Sequence, residues 1–150
     1  MAVISKDTVS AANDVISICK DAQEGFRAAA DAVNNPTLKQ TFEQLSSQRG
    51  AFARELETLV NKMGGDADDP AGTKGKLHGA WIKLKGAVTG HSEHEILEET
   101  ERGEDLSVKT FQDALGKDLT PEIRSVLQNQ YQQVQRAHNQ IRALRDSTSR

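Results

Sequence analysis

Apolar residues recur at alternating steps of three and four along four long stretches of this chain, and no segment alternates apolar with polar residues long enough to make a half-buried strand. That periodicity predicts an all-α protein. The three prolines, Pro36, Pro70 and Pro121, fall where helices should begin or be interrupted, which leaves long proline-free spans between them. The first helix is expected over residues 5–34 behind a Ser5 N-cap, with Val9, Ala12, Ile16, Cys19, Phe26, Ala30 and Val33 on its buried stripe. Asn35-Pro36 reads as a stop and an immediate restart. A second helix follows with Leu38, Phe42, Leu45, Phe52, Leu56, Leu59 and Met63, ending at Gly64-Gly65.

A two-residue link forces these helices antiparallel. The next stretch, GGDADDPAGTKG, is loop by composition, and a short amphipathic helix with Leu77, Trp81, Leu84 and Val88 is expected after it, closed by Gly90. Ser92 and Glu95 form a capping-box pattern, so a third helix is expected over residues 93–116 through Leu97, Val108, Phe111 and Leu115. Thr120-Pro121-Glu122 should cap a fourth, with Leu127, Tyr131, Val134, Ile141 and Leu144, before a fraying end DSTSR. A crossover over about residues 66–91, with a helix rising about 24 Å inside it, can carry the chain along the whole bundle. The expected architecture is one domain over residues 1–150, an up-down-down-up four-helix bundle of ferritin-like connectivity with a short helix in its long crossover.

Each stripe is broken once by polar residues. Gln23 interrupts the first, Arg49 the second, Glu101 and Glu104 the third, and His138 the fourth. Reflection through the two hairpin turns sets Gln23 beside Gln48 and Arg49, and Glu101 beside His138. A buried polar layer of Gln23, Arg49, Glu101, Glu104, Gln135 and His138 is therefore expected, with both glutamates facing Arg49 and His138. Gly25, Gly50 and Gly103 sit mid-helix beside that level, each at a cost of about 1 kcal/mol relative to alanine, and so mark close approach or a bulge.

The bulk properties exclude several classes. A net charge of −3 offers no general field for nucleic acid or an anionic surface, and no run of eighteen apolar residues occurs to span a membrane. The start MAVISKD lacks a secretory layout, and the single Cys19 has no internal disulfide partner, so a cytoplasmic location is expected.

The segments KDAQEGFRAAAD, GKLHGAWIKLKGAVTG, ETERGEDL and VQRAHNQIRALRD together resemble an uncharacterised bacterial family of ferritin-like four-helix bundles, a domain of unknown function. The resemblance spans nearly the whole chain and implies the fold without an activity. Ferritin-like proteins build a di-metal site from a carboxylate on each of two helices and a Glu-x-x-His pair on each of the others. Here Glu24 or Gln23 stands near the first carboxylate position, Glu101 at the third-helix position and His138 at the fourth-helix histidine. Gln135 replaces the glutamate three residues before His138, and the second-helix pair is Ser46 and Arg49. A guanidinium brings its own charge to the place of a metal and ligates none. Two readings follow. In one the protein is a non-enzymatic bundle, associating into a small homo-oligomer, whose Arg/Glu/His layer replaces the metal site and whose role lies in interaction or stress protection. In the other, iron or manganese binds a partial site drawn from Glu24, Glu101, Glu104 and His138.

Other clusters have simpler accounts. His91 and His94 with Glu93 and Glu95 read as a capped helix start rather than a metal cluster. Cys19 reads as a core residue, and Trp81 as the anchor of the crossover. Lys74, Lys76, Lys83, Lys85 and His78 make a basic segment, read as a solvated face with an anionic ligand as the rarer case. Gly64-Gly65 precedes no GK[ST] and is no phosphate loop.

Overall fold

A computed structural model describes residues 4–67, 81 and 92–148. It is all-helical among these residues. Helix α1 spans Lys6–Ala32, α2 Pro36–Lys62, α3 Glu93–Leu115 and α4 Pro121–Ser147. The helix starts follow local chemistry. Ser5 Oγ accepts from Thr8 N at 3.1 Å, and Asn35 Oδ1 accepts from Thr37 N and Leu38 N at 2.9 and 3.2 Å while Pro36 occupies the first turn. Ser92 and Glu95 close a reciprocal capping box, each side chain accepting from the other's backbone N–H at 3.1 Å.

Three boundaries differ from expectation. Helix α1 stops at Ala32, two residues early, because Val33 is already extended. Thr120 precedes α4 without a side-chain cap; its N–H instead donates to Thr8 Oγ1 at 3.1 Å, tying the start of α4 to the start of α1. The expected frayed end is helical through Ser147, and Thr148 Oγ1 stands 3.2 Å from His94 Nδ1. Helix α2 closes with a Schellman arrangement, Gly65 N–H donating to Val60 C=O at 2.9 Å and Gly64 N–H to Asn61 C=O at 3.2 Å. Gly64 has φ +88, which a side chain would resist.

The expected crossover helix, its lysines and His78, and His91 lie outside the described residues; of positions 68–91 only Trp81 is described, and it is fully buried. No helix among the described residues is long and apolar enough to cross a membrane.

Helix α1 is central, packing most extensively on α2 and also on α3, which in turn packs on α4; α2 and α4 touch sparingly. One end of the bundle gathers Ile4, Val60, Met63, Ala114, Leu119 and Ile123, so the start of α1, the end of α2, the end of α3 and the start of α4 meet there. The other end gathers Val33, Leu38, Ile96 and Ile141, the opposite termini of the same helices. The apolar core is thus two clusters, one at each end. What separates them is polar.

Candidate functional site

Arg49 on α2 and Glu104 on α3 meet at the level between the two apolar clusters. Nη1 donates to Oε1 at 2.5 Å and Nη2 to Oε2 at 2.6 Å, a fork-to-fork pair that occupies both carboxylate oxygens. Arg49 is 1% exposed and Glu104 0%. Its Nε donates to Gln48 Oε1 at 3.2 Å, and its guanidinium carbon stands 5.4 Å from the centre of the Phe26 ring. Burial works against the guanidinium charge, but the Glu104 carboxylate outweighs it, and the Arg49 pKa is held above its ordinary value. Cys19 shares this neighbourhood. Burial pushes its thiol up to about 12, with Arg49 opposing and Glu104 reinforcing the shift. A thiol so held is a core residue, with little thiolate for nucleophilic work.

The mid-helix glycines leave room for side chains rather than bending their helices. A Cβ on Gly103 would lie 2.5 Å from the Trp81 ring carbons, and one on Gly25 would overlap the same ring. The indole fills the notch between α1 and α3, meeting Phe26 edge-on at 4.9 Å and donating from Nε1 to Ser107 Oγ at 3.3 Å. Gly50 does the same for Gln23, whose Nε2 would stand 2.5 Å from an added Cβ. Gln23 is half-buried, and its backbone C=O accepts from Ser46 Oγ at 2.8 Å.

Glu101 takes a different direction from the one expected. It faces α4 instead of Arg49, accepting from Arg142 Nε at 3.4 Å and pairing closely with Arg145 Nη1. His138 faces neither Glu101 nor Glu104 as its nearest partner; its Nε2 lies 2.6 Å from Asp105 Oδ1. Gln135 is exposed and donates to Tyr131 Oη at 2.9 Å, outside any layer. Glu24 is exposed on α1.

Helical geometry accounts for these corrections, at about 100° per residue. Glu101 and Asp105 are about 40° apart around α3, whereas Glu104 is turned about 60° away from Glu101, so the first two look toward α4 and the third into the core. Gln135 is about 100° around α4 from buried Val134, and Glu24 about 160° around α1 from buried Phe26. Of the four residues expected as a partial metal site, Glu101 and His138 come together as expected, whereas Glu104 turns into the core and Glu24 is exposed on α1. Both oxygens of Glu104 are occupied by Arg49, and Ser46, Arg49 and Gln135 supply none of the anionic or imidazole ligands that a di-metal site needs. The core does not fit such a site.

Two participants were missed in the sequence. Asp105 joins Glu101 and His138 so that one ligand atom from each lies within 4.8 Å of the others. Its signal was the i, i+4 spacing from Glu101, which places both on one face. Gln130, fully buried on α4, donates from Nε2 to Phe52 C=O at 3.2 Å and Glu55 Oε1 at 2.9 Å, joining α4 to α2. It sits three residues after Leu127 and four before Val134, on the stripe itself. His94 faces Glu98, at 3.7 Å, and Thr148 beside the capping box, as a helix start does.

No curated protein matches this sequence. Residues 7–117, which take in α1 to α3 and stop short of α4 and His138, match a family described as a domain of unknown function, DUF2383, and the chain belongs to that family.

Proposed function

We propose that this protein is a non-enzymatic, ferritin-like bundle of up-down-down-up connectivity, in which a buried ion pair takes the place of a di-metal site and fixes the register of two helical hairpins. The observation that carries the reading is the Arg49–Glu104 pair, bidentate and fully enclosed between the two apolar clusters. Its two members come from different hairpins. Sliding one hairpin along the other by a helical turn, about 5.4 Å, would separate the charges and strand both in apolar surroundings, a penalty that apolar side chains alone do not impose. The meeting of the end of α2 with the start of α1, and of the start of α3 with the end of α1, supports the connectivity, since the chain between α2 and α3 then has to return along the bundle.

The donor set supports the absence of core chemistry. A metal at the centre would have to displace a guanidinium that already neutralises the carboxylate on offer, and serine and glutamine supply no anionic ligand in exchange. The role that remains is that of a rigid helical body acting through its surface. Crystals grown with Mn(II), measured for anomalous scattering, test this reading. The expected map has no peak within bonding distance of Glu104, and Fe(II) in air oxidises at the same rate with Glu104→Gln as with the wild type. A peak bonded to Glu104, or protein-dependent oxidation that Glu104→Gln abolishes, would overturn it.

A further inference from the structure

We infer that the seam between α3 and α4 is a binding site for one first-row divalent transition-metal ion, with Glu101, Asp105 and His138 as its ligands and Arg142 and Arg145 as its competitors. This site is separate from the core. It shares no residue with the Arg49–Glu104 pair, and it stands or falls independently of the reading above.

The donor chemistry is mixed, two carboxylates and an imidazole, which suits manganese, iron, cobalt or zinc better than magnesium or calcium. The donors come from two helices held in fixed register. Glu101 and Asp105, four residues apart, share the face of α3 turned to α4, and His138 looks back from α4 with Nε2 2.6 Å from Asp105 Oδ1. Ligand atoms around a zinc ion stand about 2.0–2.2 Å from it, so neighbouring ligands are roughly 3–4 Å apart. The three donors already lie within 4.8 Å of one another, and small rotations of the exposed Asp105 side chain and of Glu101 close the remainder. His138 is itself nearly buried, which fixes its ring and leaves Nε2 toward the seam.

Charge at the seam also favours a cation. Arg145 faces the carboxylates of Glu101, Asp146 and Glu98, Arg142 reaches Glu101, and Asp105 stands against His138, so four carboxylates meet two guanidiniums among these described residues. Both arginines reach Glu101 from the surface, with side chains 53% and 31% exposed, and can swing into water when a metal takes the carboxylate. Glu104, by contrast, is locked.

Calorimetric titration of Zn(II) into the metal-stripped full-length chain, in excess Mg(II), tests the assignment. The expected result is one equivalent bound, weakened at least about 10-fold in Asp105→Asn and in His138→Gln, since even outer-shell losses cost that much. Arg145→Gln should tighten binding by about 3-fold, because removing a screened competitor frees Glu101. All three variants should keep the wild-type far-ultraviolet circular dichroism, which separates ligand loss from unfolding. Zn(II) binding of unchanged affinity in both Asp105→Asn and His138→Gln, or no binding to the wild type, would overturn the proposal.

Discussion

Replacing Arg49 by methionine removes the guanidinium and leaves a shorter, unbranched apolar side chain in an apolar setting. The consequence is set by what remains. Glu104 is 0% exposed and holds Arg49 through both oxygens at 2.5 and 2.6 Å, so the variant buries a carboxylate whose charge partner is gone. Breaking a buried pair in this way costs about 3–5 kcal/mol, a large share of the roughly 5–15 kcal/mol that holds a domain folded. At about 2–4 °C per kcal/mol for a chain of this size, the midpoint of thermal unfolding should drop by roughly 6–20 °C. Removing both charges is a different experiment. Arg49→Met with Glu104→Leu leaves no stranded group, and the double variant should lie between neutral and about 4 kcal/mol more stable than the wild type. Urea unfolding followed at 222 nm gives the four corners of the cycle, with the dispersion of amide resonances reporting whether the doubly apolar core still adopts one register. A loss below about 1 kcal/mol in Arg49→Met, or a double variant that shows simply the summed losses of the two single ones, would refute the argument.

Gly103→Ala should destabilise even though alanine is favoured in helices by about 1 kcal/mol, because its Cβ would sit 2.5 Å from the buried Trp81 ring. Tryptophan emission shifted to longer wavelength would accompany the loss, and a stabilised variant with unshifted emission would contradict it. Cys19 gives a pH dependence. Its thiol rises from an ordinary 9.0 to about 12 in the fold, so the folded state keeps a proton that the unfolded chain releases, and the contribution is full below about pH 9 and lost as pH climbs toward 12. The loss is at most about 1.4 kcal/mol per pH unit, and urea melts between pH 8 and 10 should fall less steeply for Cys19→Ala than for the wild type; equal slopes would count against it.

The helices were legible because their start signals are local. Ser5, Asn35-Pro36 and the Ser92–Glu95 box each act within one turn, and the apolar steps of three and four extend from them. Thr120 looked like the same signal, but a residue at the end of the bundle has a second choice, and Thr8 on another helix took its N–H. Polar residues were harder to place for a geometric reason. A gap in an apolar stripe gives a height along the bundle but fixes direction only to within about 60°, the angle separating Glu101 from Glu104. That angle decides whether a glutamate meets Arg49 inside or Arg142 and Arg145 outside. Gln135 and His138 differ by the same amount, with one exposed and the other nearly buried.

The mid-helix glycines extend the argument from helix register to the crossover. Gly25 and Gly103 face each other across the α1–α3 contact, and neither is needed for backbone freedom, since both lie within regular helix. What they give up in helix propensity is offset by the seat they make for an indole, a side chain whose burial contributes several kcal/mol at about 25 cal/mol per Å². Trp81 touches Phe26, and Phe26 carries the Arg49 guanidinium against its ring. A residue from the crossover, a ring from α1 and a charge from α2 therefore stand in series, ending at Glu104 on α3. The indole fills the notch that the two glycines leave beside Phe26, the ring that the guanidinium also faces. Dry surroundings strengthen a matched pair and penalise a mismatched one. Trp81 is thus linked through Phe26 to the buried Arg49–Glu104 pair.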